Sequence, residues 1–201
     1  MAAKEIIVAI TGASGGPYAL RLLDCLDRAG VRTHVICSPM GKQLLIDECK
    51  LNTLDVQGLL GRQSDHLTVY NYRDVGCALA SGSYRTHGMV ICPTSSNTLG
   101  AIASGLGDNL ITRAAHVTLK ESRRLVILHR EMPLSAIDLG NMTRLQQAGA
   151  IICPAAPGFY LMPNSVSDLI DFVVGKMLDL LDVPHELNTR WTGREQQRGQ
   201  E

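Results

Sequence analysis

Five short runs of aliphatic and β-branched residues recur along the chain, at Glu5–Thr11, Thr33–Ser38, Gly88–Pro93, Leu125–Arg130 and Ala150–Pro154. Each is apolar almost throughout instead of alternating, the pattern of strands covered on both faces in a parallel sheet. Between them the apolar positions switch to a helical period. Leu20, Leu22, Leu23 and Leu26 mark Tyr18–Arg28, and further helices are predicted over Gly41–Cys49, Leu110–Ser122 and Asn141–Ala148. Val166–Leu181 carries the longest stripe, through Leu169, Ile170, Val173, Val174, Met177, Leu178 and Leu181. Strand and helix alternate, so residues 1–191 are expected to form one α/β domain. The expected architecture is a doubly wound, Rossmann-like or flavodoxin-like parallel sheet with helices on both faces. Ligands of such sheets sit beyond the carboxyl ends of the strands. Gly76–Gly88, rich in small residues, falls outside the scheme and can lie close against a ligand or a neighbouring chain. Residues 192–201 are polar, lack periodicity and read as a mobile tail.

Composition narrows the function classes. The 201 residues are 45% hydrophobic, enough for a real core, and 19 Lys+Arg balance 19 Asp+Glu. A net charge of +0 creates no field to gather nucleic acid or anionic lipid. No apolar run approaches the roughly 20 residues of a spanning helix, and Lys4 and Glu5 precede the first run, so neither signal peptide nor anchor is expected. The six cysteines form no C-x-x-C pair and the six histidines are dispersed. They read as free thiols and isolated imidazoles of a reducing, cytoplasmic compartment, with no metal site.

The loops after the strands carry the candidate chemistry. Thr11-Gly12-Ala13-Ser14-Gly15-Gly16-Pro17 leads from the first strand straight into a helix, offering backbone N–H groups and a helix dipole to a phosphate. It is neither G-x-G-x-x-G nor a P-loop. The second strand ends in Cys37-Ser38-Pro39-Met40, without the acidic residue an NAD ribose requires. A flavin mononucleotide or another single phosphate suits that end better, although Ser38 could equally cap the next helix. Pro93-Thr94-Ser95-Ser96-Asn97-Thr98 places more hydroxyl and amide groups at a strand end than capping requires. Arg113 and Lys120 share a helix face, seven positions apart, and could clamp a phosphate. Arg130-Glu131 sets a charged pair at another strand end. The stiff segment Pro154–Pro163 presents Phe159 and Tyr160, and the helix after it carries Lys176 on a side able to face the same place.

These motifs, taken in order, resemble the flavin prenyltransferases, a family within the flavin-dependent, flavodoxin-like decarboxylases. The resemblance runs from about Lys4 to Trp191. It rests on TGASGGPYALRLL at 11–23, ASGSYRTHGMVICPTSSNTL at 80–99, DNLITRAAHVTLKE at 108–121, HREMPL at 129–134 and GAIICPAAPGFYLMP at 149–163. It implies an enzyme that binds reduced FMN and joins its N5 and C6 to a dimethylallyl group from dimethylallyl monophosphate, without metal. The prenylated FMN would pass to a separate decarboxylase in ubiquinone-precursor or aromatic-acid metabolism. The resemblance implies that Gly12, Ala13, Ser14, Ser38, Ser95, Ser96, Asn97, Thr98 and Arg130 hold the flavin. It implies that Tyr160 and Lys176, with Arg113 and Lys120 across a subunit interface, meet the prenyl phosphate. Ser14, Glu48 and Glu131 would form the acid/base relay, and the chain would assemble into a large closed homo-oligomer of the dodecameric kind.

Two positions depart from the family pattern. Thr94 stands where Cys is expected, and Lys176 where Arg is commoner; Lys keeps the charge and loses the bidentate fork, leaving monophosphate against diphosphate open. Two other readings share the fold. One is an FMN-dependent decarboxylase of cysteine-type substrates, which would use a His after the first helix region, whereas no His precedes Thr33. The other is a flavin carrier or assembly subunit without turnover.

Overall fold

In the computed structural model, which describes residues 4–187 and 189, six strands build one sheet in which every pairing is parallel. They are β1 (Glu5–Ile10), β2 (Arg32–Cys37), β3 (Leu67–Tyr70), β4 (Gly88–Thr94), β5 (Arg124–His129) and β6 (Ile151–Pro154), in the spatial order β3-β2-β1-β4-β5-β6. The order reverses between β1 and β4, and a crevice opens there above the carboxyl ends. The expected tail at 192–201 lies outside the described residues.

Burial on both faces follows from the strand composition. Ile6, Val8 and Ile10 of β1 face a core completed by α1 (Gly16–Arg28), α2 (Pro39–Cys49), α3 (Val56–Leu60) and α7 (Val166–Leu180). Ile7 and Ala9 face the opposite core, against α4 (Ser96–Ala103), α5 (Leu110–Lys120) and α6 (Ala136–Gln147). The α6 and α7 starts are set by capping boxes, Ser135 with Asp138 and Ser165 with Asp168.

The structure corrects four expectations. β3 and α3 form between residues 56 and 70, where no element is expected. Residues 96–103 are the helix α4, because Ser95 caps it and Leu99 and Ile102 reach the core. The Ser135 box starts α6 at Ala136, five residues before Asn141. Finally, β6 is an edge strand and only half buried. Leu22 of α1 is fully buried, so Leu22→Ala is expected to destabilise the protein by about 2–5 kcal/mol, read from the midpoint shift in urea unfolding.

Candidate functional site at the sheet switch point

The two loops that flank the switch point are tied together by one buried hydroxyl. Thr11 Oγ1 donates to the Pro93 carbonyl at 2.8 Å and accepts the Ser95 N–H at 2.9 Å, while the Thr11 N–H also donates to Pro93 at 3.1 Å. Thr11 thereby fixes the β1–α1 loop against the start of α4. Two glycines are required here for different reasons. Gly15 has φ +136°, which disfavours a side chain. A Cβ on Gly12 would lie 2.6 Å from Met40 Cβ, so the loop packs directly on α2.

A cavity of about 340 Å³ opens beside this tie, lined by Thr11, Gly12, Ser38, Pro39, Met40, Tyr72, Ser95, Asn97 and Thr98. Five expected ligand residues, Gly12, Ser38, Ser95, Asn97 and Thr98, therefore converge from three separate loops. Two of their hydroxyls also cap helices. Ser38 Oγ accepts from Gly41 N–H at 3.0 Å, and Ser95 Oγ accepts from Thr98 N–H at 3.3 Å and donates to Thr98 Oγ1 at 3.2 Å. Ser38 is thus the cap of α2 and also lines the cavity. Thr11 and Met40 entered the sequence analysis only as members of the first two loop motifs, and Tyr72 not at all.

The amino end of α1 is arranged differently from what the glycine loop suggests. Glu48, near the end of α2, reaches across and its Oε2 accepts the Gly15 and Gly16 N–H groups at 3.0 and 2.8 Å. The helix N-terminus expected to be open to a phosphate thus already holds a carboxylate. Burial acts to raise the Glu48 carboxyl, but the Ser14 hydroxyl, the two amides and the charge of Arg130 outweigh it and hold it below the ordinary value. Arg130 Nε also donates to the Ser14 carbonyl at 3.3 Å. Ser14, Glu48 and Arg130 therefore form one cluster next to the hydroxyl-lined cavity. Ala13 is buried beneath the loop and does not line the cavity.

The remaining expected site residues lie elsewhere on the chain. The buried Ser96 hydroxyl faces Asp138 of α6, not the cavity. Glu131 is exposed and folds back to accept the Met132 N–H at 3.1 Å, making no hydrogen bond to Ser14 or Glu48. Tyr160 meets Phe172 of α7 edge-on, with ring centroids 5.7 Å apart, and exposed Lys176 follows one turn later near Cys153. Arg113 donates to the Ala80 carbonyl at 3.1 Å, whereas Lys120 pairs with Glu121 beside Gly82. These cations are about 10 Å apart along α5, and Lys120 lies toward the amino end of β5, away from the crevice. The same turn carries the exposed hydroxyls of Ser81 and Ser83, 2.9 Å apart, which the sequence analysis treated only as part of a small-residue segment. Thr94 is fully buried, its hydroxyl satisfied by the Ile91 carbonyl at 2.8 Å.

A doubly wound sheet with a hydroxyl-lined cavity at its switch point and no acid at the end of β2 defines a mononucleotide-binding α/β protein. The model of the Flavoprotein family matches residues 1–184, and the chain belongs to that family. It is 44% identical over 188 residues to the flavin prenyltransferase UbiX of Halalkalibacterium halodurans, covering 92% of this chain and 91% of the relative. Among solved structures it is similar to AnUbiX (PadA1) in complex with FMN and dimethylallyl pyrophosphate, with TM-score 0.87 and 41% identity over 95% of this chain and 98% of that one. A dodecameric FMN-dependent Ubix-like decarboxylase from Escherichia coli also superposes with TM-score 0.87, at 39% identity over 94% of this chain and all of that one, 100%.

A carboxyl held below its ordinary value stabilises the fold fully above the unfolded pKa and loses that contribution as pH falls through the folded one. Glu48→Gln is therefore expected to be less stable than the parent near neutral pH, with the gap shrinking below about 4.5. Urea melts at several pH values measure this; a gap independent of pH would assign the loss to packing.

Proposed function

We propose that this protein transfers a dimethylallyl group from dimethylallyl monophosphate to N5 and C6 of reduced FMN, and that the product serves a separate decarboxylase. The observation that carries the reading is the convergence of Gly12, Ser38, Ser95, Asn97 and Thr98 on one cavity beside Ser14, Glu48 and Arg130. The donor set suits a flavin phosphate and ribityl chain. It supplies neutral hydroxyls and an amide where α4 begins, and the start of a helix favours an anion. Reduced FMN, bound there, supplies the electron-rich ring that accepts the prenyl carbon.

The chain's own groups then have defined tasks. Arg130 braces Ser14 and offers charge to the flavin side of the cluster. Glu48, held anionic, accepts the Ser14 hydroxyl and so orients it to pass a proton from the ring nitrogen. Tyr160 and Lys176 neutralise the departing phosphate, and Arg113 and Lys120 assist from a neighbouring subunit, since their own α5 carries Lys120 away from the crevice. Glu131 acts in the relay toward the leaving group. Self-assembly has support in the exposed apolar side chains beside the crevice, including Met132, Ile137, Phe159 and Met162. The described cysteines are free, in keeping with a cytoplasmic setting. No described helix is long and apolar enough to cross a membrane.

The cysteine-type decarboxylase reading has less support. The first histidine of the chain, His34, is buried toward the amino end of β2 and engaged by Tyr70, Glu5 and Tyr84. Anaerobic incubation of the protein with reduced FMN and dimethylallyl monophosphate, followed by mass spectrometry, tests the proposal. The expected product is a flavin heavier by one five-carbon unit. Unmodified flavin on a protein that retains FMN would reject it. Lys176→Ala is expected to raise the KM for the prenyl phosphate about tenfold or more, with a smaller effect on FMN affinity. Equal losses of both would make Lys176 structural.

A further inference from the structure

We propose that His129 is a positioning residue of the site, holding the Thr94–Ser95 peptide so that the first turn of α4 presents its hydroxyls and amide to the ligand. The inference deepens the proposed function and rests on its reading of the hydroxyl-lined cavity as the flavin phosphate site. Three observations carry it.

First, the peptide that leads into α4 is gripped at both of its polar groups. The Ser95 N–H donates to Thr11 Oγ1 at 2.9 Å, and the Thr94 carbonyl faces His129 Nδ1 at 3.1 Å. A peptide unit is planar, so fixing its N–H and its C=O fixes the orientation of the whole unit. Ser95, the N-cap of α4, continues directly from that plane. The β4–β5 register shifts between Ile91 and Thr94, and the backbone donor that reaches the Thr94 carbonyl, the Arg130 N–H, lies at 3.4 Å. The imidazole makes the shorter contact.

Second, the ring is placed for that one contact. His129 ends β5 and is only 3% exposed. A carbonyl can only accept, so Nδ1 carries the hydrogen, and in the neutral ring Nε2 is left as a bare acceptor. That Nε2 is buried and has no hydrogen-bond partner among the described residues. A buried nitrogen without a partner costs stability, and an apolar side chain would fill the same place without that cost. What distinguishes the imidazole from such a side chain is its hold on Thr94.

Third, the turn held in this way points its groups in one direction. Ser95, Asn97 and Thr98 line the cavity, whereas the buried Ser96 hydroxyl faces Asp138 of α6. A rotation of the 94–95 peptide would carry the three lining groups with it. His129 does not itself line the cavity, so it acts through Thr94.

The test uses the full chain freed of bound flavin and titrated with FMN and with riboflavin, which lacks the phosphate, following flavin fluorescence. The wild-type protein is expected to bind FMN about tenfold or more tightly than riboflavin. His129→Leu is expected to weaken FMN binding about tenfold while changing riboflavin binding less than about threefold. His129→Asn, whose amide nitrogen can take the place of Nδ1, is expected to restore most of the FMN affinity. A His129→Leu variant that loses both flavins equally makes His129 merely structural and overturns the proposal. An Asn variant no better than Leu overturns it as well. A wild-type protein that binds both flavins alike overturns the reading of the cavity and this inference together, whereas a wild-type ratio that survives in His129→Leu overturns this inference alone. Circular dichroism checks the fold, and if His129→Leu does not fold, His129→Gln, with its amide one carbon farther out, takes its place in the contrast with Asn. The readout is binding without turnover, so a failure of prenyl transfer bears on the proposed reaction and not on this ratio.

Discussion

The Glu48 carboxylate, seated on the two amides at the head of α1, is the contact on which the rest of the site depends. A buried helix end must find acceptors for its first N–H groups, and α1 has no side-chain cap of its own, since Gly15 stands at the N-cap. α2 supplies the missing acceptor. The same contact welds the first loop to the second helix, places an anion beside Ser14, and removes the α1 N-terminus as a phosphate site. An incoming anion is left with the amino end of α4 and the hydroxyls around it. One interaction thus separates the two ends of the crevice electrostatically, with the Glu48 carboxylate and Arg130 on one side and neutral donors on the other.

The candidate cations sit at separate places on the chain. Arg130 belongs to the crevice and Lys176 to the face beyond β6, while Arg113 and Lys120 border the Ala78–Ala80 turn and the serines that follow it. Arg123 holds that turn from behind, donating to the Gly82 and Tyr84 carbonyls at 2.7 Å. With these carbonyls directed inward, the exposed hydroxyls of Ser81 and Ser83 become the outward chemistry of the turn.

What could be read from the sequence follows the range of the interactions involved. Strands β1, β2, β4 and β5 are legible because burial on both faces demands an unbroken apolar run, and α7 because its stripe is long. β3 has four residues, and after buried Leu67 and exposed Thr68 its last two are both half buried, so no periodicity announces it. α4 was hidden by its own chemistry: a run of Ser, Ser, Asn and Thr reads as a loop until Leu99 and Ile102 are seen to face the core. In the site, the hydroxyl-bearing loop and Ser38 were evident because each lies at a strand end. The grip of Glu48 on α1, the Thr11 tie and the enclosure by Tyr72 join residues 32 to 84 positions apart, or follow a strand that was itself unseen. No local pattern encodes them. The shared face of Arg113 and Lys120 was read from their spacing, while the turn at residues 80–82 that they border was not.

The double duty of Ser38 and Ser95 has a consequence for the thermodynamics of binding. A hydroxyl that already serves as a helix cap sits in one rotamer before any ligand arrives, and the loop beneath it is pressed against Met40 and stapled by Thr11. Little conformational freedom remains to be surrendered on association, and ordering losses are among the terms that most reduce the affinity of small, polar sites. The cavity is thus built to bind as a rigid mould, its entropy already spent in folding the helices that frame it.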